Sequence, residues 1–418
     1  MRTPLSVFIF IAIILLFELY VFQAVKSVTV DAAPKTRLVV YSIYFTITVF
    51  MVVGYLLFMF TSYDVLSKNI RTYLFAIIVG LFLAKLTSVF FLLLDDIRRA
   101  AQFLATKLMQ RKGSEITTSG EGITRSVFLS WFALAAGSTV FGTLLYGFGN
   151  KYNYHLKKTT ISFDNLPTGF KGLKIIQISD IHSGSFTDQE AVLHGVQKIL
   201  AEKPDLILFT GDLVNNEAKE MQEYMYIFSL LKAPLGVYST LGNHDYGDYV
   251  NWPKDGLTKA QNLEELKKTH ETLGWRLLMN EHVALERGGD KIALIGVENW
   301  GAKARFPKLG RLDLAHKGTE EYPFKILMSH DPSHWEAQVI PNYTDIDLTF
   351  SGHTHGMQFG VEIPGFKWSP VQYMYKQWAG LYENAGNKQK LYVNRGFGFI
   401  GYPGRVGILP EITVIELA

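Results

Sequence analysis

The stretch Ser351-Gly352-His353-Thr354-His355-Gly356 sets two imidazoles one residue apart between glycines. It follows Asp347-Leu348-Thr349-Phe350, an apolar run that predicts a buried strand. Where a strand gives way to a loop, alternate side chains point to one side, so both rings can address a common centre. Neutral imidazole is the commonest protein ligand for metals, and the glycines permit a tight backbone. Four more stretches end apolar runs in residues with oxygen or nitrogen donors: Asp180-Ile181-His182, Gly211-Asp212, Gly242-Asn243-His244-Asp245 and Ser329-His330-Asp331. Each alone has an ordinary reading, since an Asp after a strand usually caps a turn and a His-x-His in a loop is often only polar. Five in succession, each at the end of a strand, form a constellation.

The elements that must position these residues follow from periodicity. Leu173–Ile178, Asp205–Phe209, Gly236–Thr240 and Lys325–Met328 are short apolar runs that predict strands, and helices are expected over about 188–202 and 217–231. In open α/β sheets, sites form at the carboxyl ends of strands. The chain from about Thr159 to its end, 159–418, therefore reads as one α/β domain. His182, His244, His330, His353 and His355 fall in the strand-end turns, whereas His194, His270, His282, His316 and His334 are expected at the surface or in packing.

Composition narrows the chemistry. The 418 residues include no cysteine, which excludes disulfides, thiolate metal sites and cysteine nucleophiles. A metal site must use His, Asp, Glu or Asn, donors that suit Mn, Fe, Zn, Mg or Co. A formal charge of +3 gives no clustered basic face, so no nucleic-acid partner is expected.

Almost all the long apolar runs lie in residues 1–150. Four of them, at about 5–24, 38–60, 73–94 and 127–148, reach the ~20 residues a membrane span requires, which predicts an all-α four-helix transmembrane region and an integral, multi-pass protein. Arg98, Arg99, Lys107, Arg111, Lys112 and Arg125 lie between the third and fourth spans, and Lys26, Lys35 and Arg37 between the first and second. Only Lys68 and Arg71 lie between the second and third. The positive-inside rule then puts both termini on the outer side, although Lys151, Lys157 and Lys158 weigh in the other direction. Asp96–Lys112 has the spacing of a helix lying on a membrane surface or of an amphipathic connector. Glu18 and Lys85 sit at similar depth in parallel spans and are expected to pair.

Asp180-x-His182, Gly211-Asp212, Gly242-Asn243-His244-Asp245, His330 and Gly352-His353-x-His355, in this order, resemble the calcineurin-like metallophosphoesterase family. Ile175–His182 and Pro410-Glu411-Ile412-Thr413-Val414 resemble its membrane-linked branch, which includes transmembrane metallophosphoesterases and hydrolases of UDP-2,3-diacylglucosamine. The resemblance implies an α-β-β-α sandwich behind the membrane helices and a centre for two divalent ions. It implies that Asp180, His182 and His355 hold the first ion, that Asn243, His330 and His353 hold the second, and that Asp212 bridges both. His244 would stand near the leaving oxygen as proton donor or charge stabiliser. Leu213-Val214-Asn215-Asn216 after Asp212 departs from the protein-phosphatase branch, which carries an Asp-Arg-Gly there.

The implied reaction is hydrolysis of a phosphodiester or pyrophosphate bond. Two ions about 3.5–4 Å apart clamp the attacking and leaving oxygens, and hydroxide from an acidified water attacks phosphorus. Phe366, Trp368, Tyr373, Met374, Tyr375, Trp378 and Tyr382 follow the His-x-His stretch and form either an apolar lip for acyl chains or a packed edge of the core. Glu298-Asn299-Trp300 is expected beside the cleft, and Arg395 and Arg405 are expected to grip a phosphate or to form surface ion pairs. The partners expected are the membrane and a phosphorylated small-molecule or lipid substrate, with UDP-2,3-diacylglucosamine-type lipids a candidate. The alternatives are a non-catalytic membrane scaffold or transporter with a structural metal domain, and a phosphoprotein phosphatase.

Overall fold

The computed structural model describes residues 4–60, 67–111, 125–253, 256–303, 306, 308–384, 386 and 389–418. The chain divides into two compact units, Met1–Tyr146 and Gly147–Ala418.

The first unit is helical: α1 (Pro4–Val28), α2 (Pro34–Phe60), α3 (Lys68–Arg111) and α4 (Val127–Gly147). Each is long and apolar enough to cross a membrane. Exposed Phe8, Leu16, Leu38 and Phe128 suit a lipid solvent, in which the helices' backbone groups are satisfied internally. Lys85 donates to the Glu18 carboxylate at 2.9 Å, Thr48 donates to the same oxygen at 2.9 Å, and the ammonium lies 3.7 Å from the centre of the Tyr44 ring. The pair is thus neutralised and solvated by protein. The basic stretch expected as a separate element from Asp96 instead continues α3 without a break as far as Arg111; Lys112 lies outside the described residues. Asp95 and Asp96 start this extension, bound by Arg98 at 2.7 Å and Arg99 at 2.9 Å.

The second unit is an α-β-β-α sandwich. Its strands are β1 (His155–Ile161), β2 (Lys174–Ile178), β3 (Leu206–Phe209), β4 (Val237–Ser239), β5 (Arg276–Leu277), β6 (Glu281–Arg287), β7 (Asp290–Gly296), β8 (Lys325–Met328), β9 (Leu348–Ser351), β10 (Val361–Ile363), β11 (Phe366–Trp368), β12 (Gly380–Glu383), β13 (Lys390–Val393) and β14 (Glu411–Leu417). One sheet runs β1-β14-β2-β3-β4-β5, the other β12-β13-β9-β8-β7-β6, and β10-β11 is a separate hairpin. β2 to β5 pair in parallel, as do β7, β8, β9 and β13.

Both faces of each sheet are covered, so the central strands are continuously apolar rather than alternating. Ile175, Leu206 and Leu208 meet Leu294, Ile326, Met328 and Phe350 between the sheets. Ile176, Ile207 and Phe209 point the other way, onto Val192, Val196 and Ile199 of α5 (Gln189–Ala201). Leu327 and Ile295 pack outward on Trp335 and Val339. The helix expected over 217–231 forms as a 3₁₀ segment, Ala218–Tyr224, followed by an α-helix, Met225–Ser229. Glu220 causes the tighter start, because its carboxylate gathers the amides of Asn215, Asn216 and Glu217 at 2.6, 3.2 and 3.1 Å. His270 and His334 are buried packing residues, held neutral by burial, which pushes them down to about 3 and about 4.

Candidate metal centre

β2, β3, β4, β8 and β9 all end on one side of the sandwich, and their following turns converge. Asp180, His182 and His355 each offer a donor atom within 4.8 Å of the others, and so do Asp212, His330 and His353. In the first group, His355 Nε2 is 3.0 Å from His182 Nε2 and 3.2 Å from Asp180 Oδ1. In the second, His330 Nε2 is 3.2 Å from Asp212 Oδ2. The groups adjoin, because Asp212 Oδ2 is also 3.5 Å from His182 Nε2. Asn243 joins the second group through Oδ1, 2.8 Å from His353 Nδ1.

This convergence strains the backbone. Asp180, His182, Asp212, His353 and His355 all have positive φ, between 49° and 71°. Each such residue costs on the order of 1 kcal/mol or more and persists only when its surroundings fix it. Gly352 shows how tight they are: a Cβ there would stand 2.3 Å from an Asp180 carboxylate oxygen. Asp245 is a main support. Its buried carboxylate accepts from the amides of Asp212 (2.9 Å), Leu213 (2.8 Å) and Gly242 (2.8 Å), tying the turn after β3 to the turn after β4. Burial and the Asp212 charge push Asp245 up to about 7 against those amides.

Second contacts choose which ring nitrogens face inward. His330 Nδ1 donates to the Thr210 carbonyl at 2.7 Å, while its buried Nε2 has no hydrogen-bond partner among the described residues. Asp212 Oδ1 accepts the His244 amide at 2.8 Å, which leaves Oδ2 for the centre. The donor set of imidazole rings, carboxylates and one amide oxygen fits divalent ions, with His330 Nε2 turned toward Asp212 Oδ2. Burial pushes His182 and His353 down, which favours neutral rings. Asp180 and Asp212 fall well below the usual carboxylate range despite burial, because His355 and His330 respectively stand beside them.

His330 is the exception. Burial opposes its charge, but Asp212 and then Asp180 raise it from 6.5 to about 10 in the metal-free protein. A raised value stabilises the metal-free fold fully below about 6.5, and this contribution is lost as pH rises through about 10. A metal must displace that proton. Binding at pH 7 is therefore expected to release about one proton per centre, and affinity to rise with pH. Calorimetry of Mn²⁺ binding in buffers of different ionisation enthalpy reads this directly; no proton release would contradict it.

His244 stands apart from the two groups. Its Nδ1 donates to the Asn215 carbonyl at 2.9 Å, and Tyr249 packs on its ring at 4.4 Å. Tyr249 also accepts from Asn243 Nδ2 at 2.8 Å. Tyr375 sits behind His353. Its hydroxyl is 2.9 Å from His353 Nε2 and 3.5 Å from Asp331 Oδ2, and that oxygen lies 3.6 Å from the same His353 nitrogen, so a carboxylate, a phenol and an imidazole form a triangle. Burial and the Asp331 charge hold the phenol protonated, well above its ordinary value. Such outer partners typically change metal affinity ~10–100-fold. Tyr375→Phe is expected to weaken Mn²⁺ binding about tenfold, read by titration calorimetry, with unfolding temperature unchanged.

Neither arginine is placed to grip a phosphate, and neither is at the surface. Arg395 is buried against Glu362 at 2.9 Å and Glu411 at 3.1 Å. Arg405 is wholly buried, and its two terminal nitrogens donate to the carbonyls of His355, Arg395 and Gly398. Glu298 is bound by Tyr246 at 3.1 Å and by Asn280 at 2.7 Å. The aromatic run after Gly356 divides: Tyr375 and Trp378 are buried, and Phe366, Tyr373 and Met374 are exposed.

Two family profiles match the chain. Residues 1–150 match one described as "Probable Calcineurin-like phosphoesterase, transmembrane domain", and residues 173–357 match "Calcineurin-like phosphoesterase". The uncharacterized metallophosphoesterase YkuE of Bacillus subtilis is 31% identical over 296 residues, 68% of this chain and 93% of that protein. A zebrafish (Danio rerio) "Transmembrane protein with metallophosphoesterase domain" is 30% identical over 263 residues, 62% of this chain and 56% of that protein. Among solved structures, TT1561 of Thermus thermophilus is similar at 15% identity with a TM-score of 0.35, covering 56% of this chain and 90% of that one.

Proposed function

Because the chain belongs to the calcineurin-like phosphoesterase family and is a membrane protein that hydrolyses phosphoester bonds, we propose that a two-ion centre cleaves a phosphodiester or pyrophosphate bond in a lipid-linked substrate. In this reading Asp180, His182 and His355 would hold one ion, Asn243, His330 and His353 would hold the other, and Asp212 would serve both. The observation that carries it is Asp212 Oδ2, which lies 3.5 Å from a nitrogen of the first group and 3.2 Å from a nitrogen of the second. When bound, the ions supply charge to the phosphoryl oxygens and a water acidic enough to attack near neutral pH.

The chain's own groups do the rest. Asp212 is kept from turning by the His244 amide on its other oxygen. His244, oriented by the Nδ1–H bond to Asn215, would give a proton to the departing oxygen from Nε2 as the doubly protonated ring and be left neutral. Tyr249 and Tyr375 hold Asn243 and His353 from outside. The substrate reading rests on the four long apolar helices, which keep the catalytic unit at a bilayer. The span-flanking charges favour the outer side for this unit, and with it a polyprenyl or phospholipid phosphate over UDP-2,3-diacylglucosamine.

Purified protein with Mn²⁺ should hydrolyse bis-p-nitrophenyl phosphate, lose that activity to a chelator, and release no phosphate from phosphopeptides. Absence of diester turnover would sink the enzymatic assignment. Incubation with a lipid extract should deplete one phosphorylated lipid; depletion of none by an enzyme active on the soluble diester would end the lipid assignment. A reporter fused after Ala418 and active only in the cytoplasm would reverse the orientation.

A further inference from the structure

The hairpin β10–β11 belongs to neither large sheet. Pro364-Gly365 turns it, with Gly365 at a φ of 79°, and the register pairs Val361 with Trp368, Glu362 with Lys367 and Ile363 with Phe366. Alternation therefore gives it two unlike faces. Glu362 and Lys367 share one. Glu362 accepts from Arg395 at 2.9 Å and Lys157 at 3.1 Å, and the Lys367 ammonium donates to the Ala379 carbonyl, so this face is fastened to the domain. The other face carries Val361, Ile363, Phe366 and Trp368. The first three of these are 42%, 57% and 53% exposed.

This concentration is unusual for the unit. Seven exposed large apolar side chains fall within 357–381, against four among all its other described residues. A lone two-stranded hairpin is marginal in water, and an exposed apolar face on one marks a contact surface. Its chemistry is that of a bilayer interface: Ile363 and Phe366 beside the turn, Trp368 and Tyr373 near them, and the exposed Lys376 a few residues on. A bilayer is also the surface most available to it. Only Phe148–Tyr154 separate α4, a helix long enough to span a membrane, from β1, and such a short tether gives a high effective concentration.

We propose that the Val361–Trp368 hairpin is a lipid-docking finger whose apolar face enters the headgroup region of a bilayer. The proposal rests on the membrane-anchored reading above, but not on the hydrolytic one. The finger shares its chain segment with the centre, since Tyr375 backs His353 and Trp378 lies 3.1 Å from where a Cβ on Gly356 would stand. Docking would thus brace one wall of the centre against the bilayer.

The absence of cysteine makes a direct test possible. Phe366→Cys in the full chain, labelled with bimane, is reconstituted in vesicles of equal parts phosphatidylcholine and phosphatidylglycerol. Leu314→Cys, at an exposed apolar site far from the hairpin in sequence, is the reference. Iodide in the buffer is expected to quench the Phe366→Cys label about threefold less than the reference, while nitroxide-bearing lipid quenches it more. Equal iodide quenching at the two sites overturns the proposal. Protection from iodide without quenching by the nitroxide lipid would reassign the face to a protein contact and also overturn it. Neither result depends on turnover, so failure here is distinct from failure of the hydrolase assignment.

Discussion

Asp212→Asn is expected to lower turnover of bis-p-nitrophenyl phosphate by at least about 10³-fold in Mn²⁺-loaded protein. The substitution keeps the side chain's shape and removes one charge, so it tests electrostatics rather than packing. The native carboxylate has two jobs at once. Oδ1 accepts the His244 amide at 2.8 Å, and Oδ2 faces His330 and His182 at 3.2 and 3.5 Å. An asparagine has only one acceptor. If its oxygen meets the His244 amide, its NH₂ points into the nitrogen cluster and repels a cation. If it is flipped, two donors collide. Metal content measured by plasma emission should fall with activity, and thermal unfolding should still show a folded protein. Wild-type turnover by this variant would refute the bridging role.

His244→Ala is expected to cost about 10²–10⁴-fold, but unequally across substrates. A leaving group as acidic as p-nitrophenol departs without a proton, whereas an alkyl alkoxide does not. The loss should therefore be large for an alkyl phosphodiester and small for bis-p-nitrophenyl phosphate. Metal content should stay at the wild-type level, because His244 lies outside both donor groups. Equal losses on both substrates would remove His244 from the proton-donor role. They would leave it only the structural contacts to Asn215 and Tyr249.

The sandwich was legible in the sequence because its strands are buried on both faces. Runs such as Leu206-Ile207-Leu208-Phe209 have no polar residue to break them until the turn, where Thr210-Gly211-Asp212 marks the end. The donors were legible for the same reason, since polar residues directly after apolar strands stand out. The supports were not. Asp245 was visible only as a neighbour of His244, and nothing local tells that its carboxylate gathers amides from two turns. Tyr375 stands 22 residues after His353, in a run whose buried and exposed aromatics have the same composition. Arg405 looks like a phosphate grip in a glycine-rich loop. Its true partners are backbone carbonyls as far as 50 residues away, which pattern reading does not reach. In the helical unit, the four apolar runs were plain, but the stretch from Asp96, expected as a surface helix or an amphipathic connector, runs on from α3 as far as Arg111. Nothing in Asp95-Asp96-Ile97-Arg98 stops a helix, and the acids are satisfied by arginines one turn on.

The sheet order β1-β14-β2 has a consequence for how the protein is made. β14 runs parallel to β1 and antiparallel to β2, so it fills a slot between two strands synthesised long before it. At ~5–20 residues per second, β2 leaves the ribosome on the order of ten seconds or more ahead of Glu411. Through that interval β1 has no neighbour, and one edge of β2 is open to any passing strand. The turn carrying Asp180 and His182 springs from β2, so one edge of the strand that delivers these two donors stays unpaired until β14 inserts.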